Sequence, residues 1–318
     1  MELSLVWMYL GFLLAAYSVV ANDSIQTLGT FLSSNKAYFA WYTLWFAASL
    51  MMVFTITYGW YFYDGDISFG RLTRIPFQEV QWYHAMAPAV LLLLTRVGIP
   101  VSTTFLVLSA FTTFAVLEKM LIKSMVGYGV AAISAYLIWV VLERYINEKR
   151  DHPEHVKFWR VSQWITSGWL WFAWLQHDMA NIAVFLPRKL MMGDLIMVLI
   201  STVLLLGYVF YSGGGKIQEV VISKHGTRFA RSSTIINLVY AFVLFFFIEL
   251  NNLPMSTTWV FVGLLSGREL AISSVIDDYR FKYVFPIIAK DFGKMIFGLG
   301  ASVAIVLIIH QVIVPNGL

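Results

Sequence analysis

Apolar runs long enough to cross a membrane follow one another along almost the whole chain, and that tiling decides what the chain can fold into. Residues 3–20, 39–61, 127–142, 159–175, 195–211, 235–250 and 296–314 mostly approach the ~20 residues with which an α-helix spans hydrocarbon. Charged residues make up 13% of the chain and mean hydropathy is +0.73, against roughly 25% charged in soluble domains, so a soluble protein is excluded. The expectation is an all-α polytopic membrane protein whose loops leave no room for a separate catalytic domain. The net charge of +4 is spread over loop Lys and Arg, which reads as orientation and lipid-headgroup contact, not nucleic-acid binding. The absence of cysteine rules out disulfides, Cys-ligated metal and thiol chemistry. The first run has only Glu2 as a charge ahead of it and no cleavage-site pattern behind it, so it reads as a retained span and not a signal peptide.

The chain also repeats itself. Ile99-Pro100-Val101-Ser102-Thr103-Thr104 matches Leu253-Pro254-Met255-Ser256-Thr257-Thr258 at an offset of 154, and Asp23 falls on Asp178 at an offset of 155. A weaker match sets Lys123, Gly127 and Gly129 against Lys294, Gly298 and Gly300. Each half shows five apolar segments: 3–20, 38–61, 80–97, 104–118 and 125–146, then 159–177, 193–212, 232–250, 257–276 and 284–314. An odd number inserts the second half upside down, so the expected units are an inverted pair, 1–147 and 159–318, joined by a short cytoplasmic linker at 148–158. If the segments flanking each Pro-x-Ser-Thr-Thr form a re-entrant hairpin, three crossings per half remain and the inversion survives. Fifteen Lys and Arg, Lys36, Arg144 and Lys149 among them, fall in loops on one face, against Arg71, Arg74, Lys119, Lys123, Arg188 and Lys189 on the other. The positive-inside rule makes the first face cytoplasmic and puts both termini outside.

An ionised Asp at bilayer depth costs about 2.5–3.5 kcal/mol on insertion scales and normally faces a cavity or a partner. Asp23 and Asp178 each close a long apolar run, and each precedes an apolar stretch too short to span, 25–31 and 179–186. Taken singly, each reads as an N-cap; as an equivalent pair they predict a broken helix inside the membrane. Asp23 with Gln26 and Asp178 with Asn181 share a helix face at a spacing of three, and their oxygens suit a hard cation or a proton. In Pro-x-Ser-Thr-Thr the proline breaks one helix and hydroxyls open the next, where free N–H groups and the positive dipole end favour an anion. Glu249, near the second such segment, is the next acidic candidate for the cation.

These four segments resemble the inorganic phosphate transporter family, whose halves each carry a Gly-Ala-Asn-Asp-Val-Ala-Asn-Ala-like and a Pro-Val-Ser-Thr-Thr-like stretch. This chain departs from the pattern at Gln26, His177 and Trp259, which stand where the family has Asn, Asn and often His. The resemblance implies an inverted-repeat secondary transporter, not an enzyme, working as a homodimer in a cell or inner membrane. It would move phosphate, or sulfate as in some members, with Na⁺ or H⁺ and no other cofactor. The implied oxyanion ligands are Asn22, Ser102, Thr103, Thr104, His177, Ser256, Thr257 and Thr258. The cation would couple at Asp23, Gln26, Asp178 and Asn181, with Na⁺ at Asp23 and Asp178. An intramembrane hydrolase using Asp23 and Asp178 as an acid/base dyad would have no use for duplicated Pro-x-Ser-Thr-Thr segments.

Overall fold

The computed structural model describes residues 2–96, 101–145, 156–215, 218, 229–275 and 281–313. Pro100, Lys149 and most of the 148–158 stretch lie outside them; helix begins inside that stretch, at Val156. All regular structure among the described residues is helical. In chain order the helices are α1 (Glu2–Ser18), α2 (Ser24–Asn35), α3 (Trp41–Phe62), α4 (Met86–Arg96), α5 (Thr103–Leu108), α6 (Phe114–Tyr145) and α7 (Val156–Asp178). They continue as α8 (Ala180–Ala183), α9 (Met192–Tyr211), α10 (Ala230–Leu250), α11 (Thr257–Val275) and α12 (Phe281–Ile308). Among the described residues six helical stretches, 3–35, 41–62, 114–142, 192–211, 230–250 and 282–308, are long and apolar enough to cross a membrane. Their outer faces expose large apolar side chains, Phe46 at 65%, Ile133 at 63% and Leu204 at 64% among them, a pattern suited to a lipid solvent and not to water.

The two Asp segments differ in backbone. Asp23 closes a π-helical turn, Val19–Asp23, and the helix then continues as α2 to Asn35, so the expected break is a local widening of an unbroken rod. Asp178 ends α7 outright, and only the four-residue α8 follows. The segmentation of the first half also needs correcting. Residues 104–118 and 125–146 are not two spans: α5 is six residues long, and α6 then runs through Lys119 and Lys123 as one helix. Those two lysines are therefore not loop charges. At 1.5 Å per residue α4 and α5 reach only about 16 and 9 Å, well short of ~30 Å of hydrocarbon, which favours the re-entrant alternative for the first Pro-x-Ser-Thr-Thr. In the second half Tyr240 Oη donates to the Thr257 carbonyl at 2.9 Å and Arg268 Nη2 to Ser232 Oγ at 3.2 Å. Thus α11 starts beside the middle of α10 and runs back along it.

Small residues set the closest helix contact. Gly263 and Gly267 of α11 lie four apart, so on one face, and a Cβ there would stand 2.4 Å from the Tyr128 carbonyl oxygen and 2.0 Å from that of Ala132 on α6. The backbones meet where no side chain fits, as in small-xxx-small packing between membrane helices. Buried polar pairs join α7 to its neighbours. Asn237 of α10 bonds Ser167 and Thr30, each at 2.8 Å, and Gln163 bonds Ser34 and Asn35 of α2 at 2.6 and 2.7 Å.

Candidate functional site

Both Asp segments and both Ser-Thr-Thr segments converge in the interior, and their contacts come in crosswise pairs. Thr104 donates from Oγ1 to Asp178 Oδ1 at 3.3 Å, while Thr258 donates to Asp23 Oδ1 at 3.4 Å. The same hydroxyls reach the carbonyl oxygens of the opposite segment, Thr104 to Met255 at 3.2 Å and Thr258 to Val101 at 3.5 Å. Thr104 and Thr258, like Val101 and Met255, are 154 positions apart in sequence, so the contacts follow the repeat.

Within each half an amide holds the carboxylate. Asn181 donates to Asp178 Oδ1 at 2.8 Å and Gln26 to Asp23 Oδ1 at 3.4 Å, as residues three apart on one helix face can. Asn22 Nδ2 lies 2.6 Å from Asp23 Oδ1 and 2.8 Å from the Val101 carbonyl. Thr257 adds a 2.6 Å bond to Asp178 Oδ2. The N-cap alternative fails for both aspartates: Asp23 precedes α2 without a side-chain cap bond, and Asp178 is the last residue of α7, with Met179 standing before α8. It holds for the serines: Ser102 Oγ accepts from the Phe105 N–H and Ser256 Oγ from the Trp259 N–H, each at 3.2 Å. Those two oxygens help start α5 and α11, and each hydroxyl keeps its own O–H to donate.

His177 turns its Nε2 to the Leu244 carbonyl at 2.9 Å. A carbonyl only accepts, so Nε2 carries the proton and a neutral ring presents Nδ1 as an acceptor. Four buried polar atoms in this region have no hydrogen-bond partner: Thr103 Oγ1, His177 Nδ1, Asn181 Oδ1 and Arg71 Nη1. Thr103 nevertheless faces the Asp23 carboxyl. Native proteins seldom leave such groups unpaired, because each costs about 1–3 kcal/mol. Glu249, the fallback acidic candidate, is exposed at the end of α10 and is not part of the cluster.

Sequence reasoning missed three residues. Lys123 is 8% exposed and donates to the carbonyls of Phe247, Asn251 and Leu253 at 3.2, 3.1 and 2.8 Å. It thereby caps the end of α10, where a cation opposes the helix dipole. Tyr240 braces Thr257 through the contact described above. Arg71, counted as a loop charge, is 2% exposed and donates from Nε to the Gln176 carbonyl, two residues before Asp178. Only the weak Lys123–Lys294 repeat hinted at any of the three.

No family model matches the chain, and no curated protein does. A solved structure described as "The sodium-dependent phosphate transporter" superposes with a TM-score of 0.67 at 16% identity, covering 98% of this chain and 100% of that one. At that identity the likeness establishes the fold: the polytopic helical architecture expected from the sequence is the one observed.

Proposed function

We propose that the chain is a secondary active transporter that carries an inorganic oxyanion together with a cation, its two halves forming an inverted repeat that alternates access to the site. The crosswise pairing of Thr104 with Asp178 and Thr258 with Asp23 carries this reading, since it builds one site from both halves, as a repeat that must rock about its substrate requires. Neither aspartate forms a salt bridge among the described residues; hydroxyls and amides hold them instead. A buried carboxylate with no cationic side chain at ion-pair distance is a place for a mobile cation. Asn181 Oδ1 and the Asp178 oxygens form the kind of hard oxygen set Na⁺ accepts, and Thr103 has a hydroxyl to give an anion. The name of the structural neighbour and the motif resemblance favour phosphate and Na⁺ over sulfate and H⁺. They also favour a homodimer in a cell or inner membrane. An aspartyl hydrolase is disfavoured because it would have no use for the duplicated Pro-x-Ser-Thr-Thr segments that surround the two carboxylates.

Binding of labelled phosphate and sulfate to the purified protein, in Na⁺ and in choline, tests the substrate class. Saturable binding of either, tightened by Na⁺, is the expected result; no binding of any oxyanion would end the proposal. Thr103→Val should weaken that binding about ten- to over a hundredfold, the ~1.5–3 kcal/mol of a donor to a charged group. Valine nearly keeps the buried shape and gives up the hydroxyl that faces the Asp23 carboxyl, so the protein should still fold, with at most a small drop in unfolding temperature. Thr257→Val should weaken binding too, with added damage at Asp178. Wild-type affinity in both would return these threonines to simple helix starting.

Orientation is tested on the cysteine-free background. Ser68 is fully buried, so cysteines belong at exposed Lys36, beyond α2, and at Lys189, whose side chain is 72% exposed in its pair with Asp64. An impermeant thiol reagent should reach Lys189→Cys from outside and Lys36→Cys from the cytoplasm. Labelling of both from one side would refute the assignment.

A further inference from the structure

We propose that Arg71 is a ligand of the transported oxyanion, a fixed positive charge contributed by the 63–85 connection and held ready beside Asp178. This rests on the transport reading above and names a group that neither the motifs nor the repeat contains. Arg71 is buried to 2% exposure, its Nη1 has no hydrogen-bond partner, and no carboxylate lies within ion-pair distance of it among the described residues. Its charge acts on Asp178, His177 and Lys123, which places it at the rim of the cluster on the Asp178 side. A guanidinium without an anionic partner in such a place is costly. A tetrahedral oxyanion is what its planar fork fits, through paired N–H donors.

The segment around Arg71 is built to keep it still. Asp66 accepts from the N–H groups of Ser68 and Gly70 at 2.7 and 2.9 Å, and Gly70 takes φ +74°, a left-handed turn that glycine adopts without strain. Arg188 clamps the Ile75 and Pro76 carbonyls at 3.1 and 3.3 Å, and Leu190 N donates to the Gly65 carbonyl at 2.9 Å. Nε is tied to the Gln176 carbonyl, so the guanidinium plane is set while Nη1 stays available. A fixed cation of this kind also lets a multivalent anion approach Asp178 with fewer mobile cations.

Equilibrium binding to purified variants, with labelled phosphate and labelled sulfate in separate arms, tests the assignment. Arg71→Gln should weaken whichever oxyanion the wild type binds at least tenfold with unchanged thermal unfolding. Arg74→Gln, on the same turn but exposed, should change nothing. Arg71→Lys, which keeps the charge and loses the fork, should fall between, and it serves if Arg71→Gln does not fold. Wild-type anion affinity in Arg71→Gln, or in Arg71→Lys where only that variant folds, would overturn the proposal. So would a change in Na⁺ affinity alone, which would make Arg71 the counter-charge of Asp178. If the wild type binds neither anion, the transport reading itself falls, an outcome distinct from a silent Arg71.

Discussion

Proteoliposomes carrying Asp178→Asn or Asp23→Asn will fail to concentrate oxyanion along an imposed cation gradient, while exchange of anion for anion survives in part. The reason is electrostatic. Two buried carboxylates beside a multivalent anion repel it by several kcal/mol at a few Å even at an effective dielectric near ~20, so anion and cation must enter together, each raising the other's affinity by the same factor. Asparagine keeps the shape but removes the charge. At Asp178 it also sets an NH₂ against donors, because Oδ1 and Oδ2 accept from Thr104, Asn181 and Thr257. Asp64→Asn, in the exposed pair with Lys189, should leave uptake unchanged, as surface ion pairs contribute little. Wild-type cation dependence in both site variants would remove coupling from these carboxylates.

Gly267→Val should cost the protein its fold. A Cβ at 267 would lie 2.0 Å from the Ala132 carbonyl oxygen and at 2.7 Å from its carbon, backbone atoms that cannot rotate aside, and valine adds two methyl groups. Overpacking a tight interface typically costs 1–3 kcal/mol and occasionally more; with two helices forced apart along their whole contact, the upper end applies. The variant should lose its monodisperse peak or unfold many degrees lower in detergent. Gly129→Ala on the facing helix α6 meets nothing within 4 Å and should be neutral or slightly stabilising, since alanine is the better helix former by roughly 1 kcal/mol. Equal unfolding temperatures for wild type and Gly267→Val would mean that α6 and α11 do not pack this closely.

The site was legible in the sequence where its chemistry is local and duplicated. Asp23 with Gln26 and Asp178 with Asn181 reveal themselves by spacing, and the two Ser-Thr-Thr segments by the proline before them. The pairing of Thr104 with Asp178 and of Thr258 with Asp23 spans 74 and 235 residues, and no periodicity reports a contact of that range. Charge counting places Lys123 in a loop because hydropathy registers a lysine as a break, and it cannot tell that Arg71, in the connection after α3, is buried. Lys123 instead sits inside α6, its ammonium spent on the carbonyls that end α10, and Arg71 folds back under α7. The unbroken rod from Glu2 to Asn35 was misjudged for a related reason: Asn22 and Asp23 look like an end, yet a π turn absorbs them because Asn22 is bonded across to Val101 and Thr27 back to the Asp23 carbonyl.

In the proposed cycle a cation gradient drives an oxyanion across the membrane through this one site. Uptake of labelled phosphate and sulfate into proteoliposomes, with an inward Na⁺ gradient, with a pH gradient and with neither, tests it directly. The expected result is transient accumulation of phosphate above its equilibrium level under the Na⁺ gradient, collapsing when the gradient is dissipated. Equilibration without accumulation under every gradient, or no anion flux at all, would contradict it.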